Sequence, residues 1–261
     1  MKVKIAFSGS GFLGVIHIGA VCAFLDKGIE IVEVSGTSGG SIVASGVALG
    51  KSSEEMKKLA MQGLPSGIAG FQILSLFDEG LNTGKILLAW LHSLFGNAKF
   101  NDARIPLSIM ATDINRGMPY QFSKILTPDS NIAQACRASS SVPFFYTPYT
   151  VNNVKLVDGG CCCNIPVDKL CDDGTRRFGI NVIDGDTNGV TDTFLTLAKQ
   201  CLSTMLNANE NNVIAWAQQT NAEIISISAN PYGFLNANLT IDQKKDLFDR
   251  GYNAVINHLK S

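Results

Sequence analysis

Twice within its first 49 residues the chain runs from an apolar strand through a glycine-rich turn into a helix. Lys2 to Phe7 reads as a strand and Gly9 to Gly14 as its turn. Val15 to Lys27 follows as a helix, with Val15, Ile18, Val21, Cys22 and Leu25 at helical spacing and Gly28 as its cap. Ile31 to Val34 reads as a second strand, which passes through Gly36-Thr37-Ser38-Gly39-Gly40 into a helix of small residues ending near Leu49. The same alternation continues. A capping box, Ser52 with Glu55, opens a helix over Ser53 to Gln62, and Thr240 with Gln243 opens the last one. Strands are expected at Ile105 to Thr112, Tyr120 to Phe122, Val154 to Val157, Phe178 to Ile183 and Ile224 to Ser228, with two successive helices over Thr191 to Asn221. Neither repeat nor linker interrupts the pattern. It predicts one α/β domain over 1–261, layered around a mostly parallel sheet.

Composition supports a large core and excludes several functions. A content of 46% hydrophobic and 16% charged residues argues against disorder. A net charge of −1 without like-charge blocks argues against a nucleic-acid surface and gives little pull toward anionic membranes. Seven cysteines, an odd and irregular set, read as reduced thiols. Cys161, Cys162 and Cys163 are adjacent, without a C-x-x-C or histidine partner nearby, so no metal site and no cofactor is expected. The apolar run after Lys4 is too short for a signal peptide, and no 18-residue apolar stretch exists. The expectation is a soluble protein, cytoplasmic or peripheral to membranes.

Three stretches can carry chemistry. Gly36-Thr37-Ser38-Gly39-Gly40 is a G-x-S-x-G at a strand-to-helix turn, which can present Ser38 as a nucleophile beside the free N–H groups of a helix start. The bland alternative is a tight helix start made of small residues. Gly9-Ser10-Gly11-Phe12-Leu13-Gly14 lets backbone N–H groups converge on an anion, either as an oxyanion hole or as a dinucleotide turn. For a dinucleotide, an acid should stand at the end of the second strand, where the serine turn stands instead. Asp158, followed by Gly159-Gly160, can accept a serine proton or simply form an Asp-Gly turn. Asp113 is the reserve base. His17, His92 and His258 are poorly placed to complete a triad, so a Ser38–Asp158 pair fits better.

These motifs resemble the patatin-like phospholipase family, whose glycine loop, G-x-S-x-G and D-G-[GA] match residues 9–14, 36–40 and 158–160 in order. The stretches "HIGAV", "PLSIMATDINRG", "RASSSVPFFYTP" and "CNIPV" resemble further signatures of that family. The resemblance implies a three-layer α/β/α sandwich and a lipid acyl hydrolase of the phospholipase A type, acting through a Ser38 acyl-enzyme with Asp158 as base. It further implies an oxyanion hole from Gly9, Ser10, Gly11 and Gly39, a phospholipid or other acyl-lipid substrate, and transient contact with a membrane surface. Ser10 and Leu13 depart from the family's usual glycine and basic residue. Phe12, Phe144 and Phe145 are the substrate-binding candidates, the last two within "PFFYTPY", for which aromatic core filling is the equal alternative. The apolar face of residues 84–96 reads as core in preference to a lid, and 67–77 is apolar too. A dinucleotide-dependent oxidoreductase and a non-catalytic lipid-binding module are the alternatives.

Overall fold

The protein is described from a computed structural model covering residues 1–62, 64–68, 82–183 and 194–260. Its strands are β1 (Lys2–Phe7), β2 (Glu30–Thr37), β3 (Leu107–Asp113), β4 (Met118–Ser123), β5 (Tyr149–Val151), β6 (Val154–Asp158), β7 (Arg176–Ile183) and β8 (Ala222–Ser228). The helices are α1 (Val15–Asp26), α2 (Gly39–Ala48), α3 (Ser53–Met61), α4 (Lys85–Phe95), α5 (Ile132–Ser139), α6 (Phe194–Ala217) and α7 (Ile241–His258).

One eight-stranded sheet runs in the order β5-β6-β3-β2-β1-β7-β8, with β4 also paired to β3. The five strands from β3 to β8 pair parallel, and β4, β5 and β6 are antiparallel additions. Side chains of successive strand residues leave opposite faces, and β1 uses both. Val3, Ile5 and Phe7 enter the larger core with Ile16 and Phe24 of α1, whereas Ala6 joins a smaller cluster with Val167, Leu170 and Ala217. Two cores on two faces make three layers, as expected. Helices α1 and α7 pack together on the larger-core face, while α6 covers the other beside β8.

Both capping boxes form, at Ser52/Glu55 and Thr240/Gln243. In α4, Leu87, Leu91 and Phe95 are buried at a spacing of four, so this helix lies in the core and is no detached lid. Most of the apolar stretch 67–77 lies outside the described residues. The two helices expected over 191–221 are corrected to one, α6. Its asparagine-rich middle lowers helix propensity, but no proline or glycine breaks it.

Candidate active site

The serine turn is an elbow. Ser38, buried between β2 and α2, has φ 50° and ψ −125°, a conformation that costs a non-glycine residue about 1–3 kcal/mol. Three hydrogen bonds hold it there, one of them backed by a fourth. Its N–H donates to Ser139 Oγ (2.7 Å), which itself donates to the Met110 carbonyl (2.5 Å). Its carbonyl accepts the Ser41 N–H (2.9 Å) and Oγ (2.6 Å).

Asp158 arrives from the opposite direction. β2 pairs with β3 as far as Thr37 opposite Met110, and β6 takes up the pairing with Asp158 opposite Ala111. The end of β6 therefore abuts the end of β2, and Ser38 stands at the junction. The Asp158 N–H donates to the Ser141 carbonyl (2.9 Å), and Thr112 Oγ1 donates to the Asp158 carbonyl (2.9 Å). Behind the junction, Thr37 Oγ1 donates to the Cys163 carbonyl and Ser35 Oγ to that of Pro166, each at 2.7 Å. These two bonds fasten the segment following Asp158 to β2.

The Asp158 carboxyl is buried. Burial pushes its pKa up to about 6, against the Ser38 side chain and the Gly160 N–H, which both favour the anion. Oδ1 accepts the Gly160 N–H at 2.8 Å. Among the described residues Oδ2 has no partner at full hydrogen-bonding geometry, so the Ser38 hydroxyl faces the carboxyl in a loose arrangement. Hydrogen bonds of reacting groups are commonly long before substrate arrives.

The glycine turn packs directly on the start of α2. A Cβ on Gly39 would strike the Gly11 carbonyl and Ser10 Oγ, so only glycine permits this approach. Within the turn, Phe12 N–H donates to the Phe234 carbonyl and Leu13 N–H to that of Ser10, both at 2.9 Å. The inclusion of Gly9 among the oxyanion donors is corrected: its N–H is engaged by Asn164. Among the described residues the N–H groups of Ser10, Gly11 and Gly39 have no hydrogen-bond acceptor, and Gly11 and Gly39 line the cavity beside Ser38. Ser10 has φ −142°, so its Cβ brings no left-handed strain. Gly11, at φ +52°, takes the left-handed position. Leu13 is buried in the core, where a basic side chain would be out of place.

An apolar cavity of about 120 Å³ opens beside Ser38 and Gly39, walled by Phe12, Ile18, Leu87, Trp90 and Phe145. Phe144 does not line it. Its φ of 67° turns the residue outward, leaving it 46% exposed, which corrects its expected place beside Phe12 and Phe145.

The remaining candidates lie elsewhere or are occupied. Asp113 Oδ1 accepts the N–H groups of Asn115 and Arg116, capping its own turn. His17 is buried, its pKa lowered to about 4 by that burial, and its neutral ring donates through Nε2 to the Ser8 carbonyl (2.9 Å). His258 pairs with Glu223 (2.8 Å) near the start of β8, the sheet end opposite Ser38. Glu30 and Glu33 also sit toward the start of β2, with Glu33 on Lys4, so no acid stands where a dinucleotide ribose would lie. Among the described residues no cluster of His, Cys, Asp and Glu is arranged for a metal ion. Burial raises the Cys161 and Cys163 thiols to about 12. No described helix is long and apolar enough to cross a membrane.

Ser139 and Asn164, which hold the elbow and the glycine turn, were not singled out by pattern. Each lies within a signature stretch, but nothing local marks its role. Glu210, behind Asn164, gave no signal at all.

A protein of Acanthamoeba polyphaga mimivirus is 27% identical over 97% of this chain and 92% of its own length. An NTE family protein of Mycobacterium tuberculosis is 26% identical over 64% of this chain, which spans 44% of that relative. VipD from Legionella pneumophila shares the fold at TM-score 0.60 and 16% identity, over 99% of this chain and 66% of VipD. The patatin-like phospholipase model matches residues 5–170, which include both glycine turns and Asp158. The chain belongs to the patatin-like phospholipase family.

Proposed function

We propose that this protein is a serine esterase of the phospholipase A type, cleaving carboxylic esters of phospholipids or related acyl lipids. One observation carries the reading: β2 and β6 meet head-on along β3, which sets Ser38 against the buried carboxyl of Asp158. Family membership supports lipid hydrolysis in general, and the site supports the finer assignment.

Asp158 Oδ2 accepts the Ser38 proton as Oγ attacks the ester carbonyl. The oxyanion that forms lies against the N–H groups of Ser10, Gly11 and Gly39, at the positive end of the α2 dipole. Collapse expels the alcohol, which takes the proton back from Asp158 and leaves an acyl group on Ser38. Water then gives its proton to Asp158 and attacks the acyl carbon. Ser38 leaves reprotonated, and the fatty acid is released. The apolar cavity, with Phe12 and Phe145 in its walls, suits an acyl chain. With Leu13 buried, the glycine turn carries no basic side chain for a phosphate, which favours less anionic esters.

A fluorophosphonate probe followed by peptide mapping tests this reading. Label on Ser38, lost in Ser38→Ala together with ester hydrolysis, is the expected result. Asp158→Asn should lower hydrolysis by about 10²–10⁴. A wild-type protein that neither labels nor hydrolyses would remove the hydrolase reading.

A further inference from the structure

The geometry points to Glu210, on α6, as a positioning residue that acts through Asn164 to fix the glycine turn. The inference rests on the hydrolase reading for its kinetic consequence but not for the contacts themselves. Glu210 lies beyond the residues matched by the family model.

The chain of contacts is buried and directional. The Gly9 N–H is shared by the Asn164 carbonyl (3.2 Å) and Asn164 Oδ1 (3.1 Å). Asn164 Nδ2 donates to Glu210 Oε1 at 2.6 Å, and Asn181 Nδ2 donates to Glu210 Oε2 at 3.3 Å. The neighbouring Asn209 contributes Oδ1 as acceptor for the Asn164 N–H (3.3 Å). All three of Asn164, Asn181 and Glu210 are buried.

An amide side chain can turn either end toward a neighbour, whereas both carboxyl oxygens of Glu210 are engaged as acceptors, by Asn164 and by Asn181. Glu210 therefore obliges the Asn164 nitrogen to face α6, which leaves Oδ1 to face Gly9. Reversed, the amide would set two donors against each other at Gly9. Because Gly9 immediately precedes Ser10 and Gly11, its anchoring decides where their open N–H groups point. Donors aimed at a developing oxyanion act only if their direction is set beforehand.

Glu210→Gln tests the inference, because it keeps size while turning one of the two acceptor atoms into a donor, so that Asn164 is no longer obliged to present its nitrogen. With a soluble p-nitrophenyl ester, kcat should fall roughly ten- to a hundredfold with KM within about twofold, since small misplacement of reacting groups acts on the chemical step. In an Asn164→Ala background the same change should have no further effect on kcat. Amide hydrogen exchange at Gly9 should quicken by about tenfold. Unchanged kcat, or losses that multiply independently across the double mutant, would overturn the inference. So would unchanged exchange at Gly9. If the wild type shows no Ser38-dependent hydrolysis, the hydrolase reading fails, and exchange at Gly9 alone decides the positioning role. Should Glu210→Gln not fold, Glu210→Asp, which withdraws the carboxylate by one methylene, is read in the same way.

Discussion

Thr37 and Asp158 lie opposite neighbouring residues of one strand, Met110 and Ala111. Their separation is therefore fixed by backbone pairing rather than by the reach of flexible side chains. Ser38 follows Thr37 at a turn whose strained φ is held by Ser139 and Ser41. A serine and an acid 120 positions apart in the numbering thus meet because β6 runs antiparallel into the gap beyond β2. Positioning of this kind is paid for in folding and is available before substrate arrives.

The acid limb of activity follows from the base. Asp158 must be ionised to take a proton, and its pKa stands at about 6. For a soluble ester, kcat/KM should fall about tenfold per pH unit below that value, because this ratio reports the free enzyme. A profile flat to pH 4.5 would show that Asp158 is not the base.

The same shift has a stability consequence of opposite benefit. The folded protein holds the Asp158 proton up to about pH 6, above the ordinary carboxylate value of 3.8, so between these values it binds more protons than the unfolded chain. Stability must then fall as pH rises through that window, by roughly 3 kcal/mol for a shift of about two units. Asp158→Asn abolishes this slope. Its stability relative to wild type should rise between pH 4 and pH 7 and level off above, as read by urea denaturation at several pH values. A constant difference would mean that the carboxyl is not held up by burial.

Much of the fold could be read from residues alone, and the reason is periodicity. Both capping boxes, the glycine cap of α1 and the buried stripe of α4 are local patterns that the tertiary structure leaves intact. The candidate site was legible only in part. Ser38, Asp158 and the glycine turn are short motifs, but their adjacency depends on the register of β6 against β3. The engagement of Gly9 by Asn164 spans 155 residues, and no spacing announces it. Phe144 misled because an aromatic pair says nothing about backbone sign; its positive φ sends one ring outward while Phe145 turns in. The single helix α6 escaped because weak propensity resembles a break when packing is unseen.

Gly39→Ala is expected to damage the site more than its size suggests. The added Cβ points at the Gly11 carbonyl and Ser10 Oγ, so the glycine turn must retreat from α2. Overpacking of this kind costs about 1–3 kcal/mol. Displacing oxyanion donors should lower kcat by about 10²–10³ while the elbow still presents its serine. Thermal unfolding and kinetics on the same preparation check both effects. Full activity with a normal melting temperature would mean that the two turns do not touch.

Ser139→Ala separates the elbow from its support. The Ser38 N–H loses the Oγ that accepts it, and the Met110 carbonyl loses a donor. Leaving a buried donor unsatisfied costs about 1–3 kcal/mol. Ser38 should relax from its strained φ, so fluorophosphonate labelling is expected to slow at least tenfold, as 1 Å misplacements do. Labelling at the wild-type rate in a destabilised variant would confine Ser139 to a structural role.

Ser10→Ala should act in the opposite direction. The Ser10 side chain is buried, and among the described residues its Oγ has no hydrogen-bond partner, an arrangement that costs about 1–3 kcal/mol. Alanine keeps the Cβ, suits the observed φ of −142° and removes the unpaired hydroxyl. A gain of about 1 kcal/mol is expected, which for a domain this size is roughly 2–4 °C in Tm. Activity should be unchanged, because the group assigned to the oxyanion is the Ser10 backbone N–H, which the substitution preserves. A fall in kcat of tenfold or more with KM unchanged would instead place the hydroxyl itself among the oxyanion donors, and the assignment of that hole to main-chain groups alone would have to be abandoned.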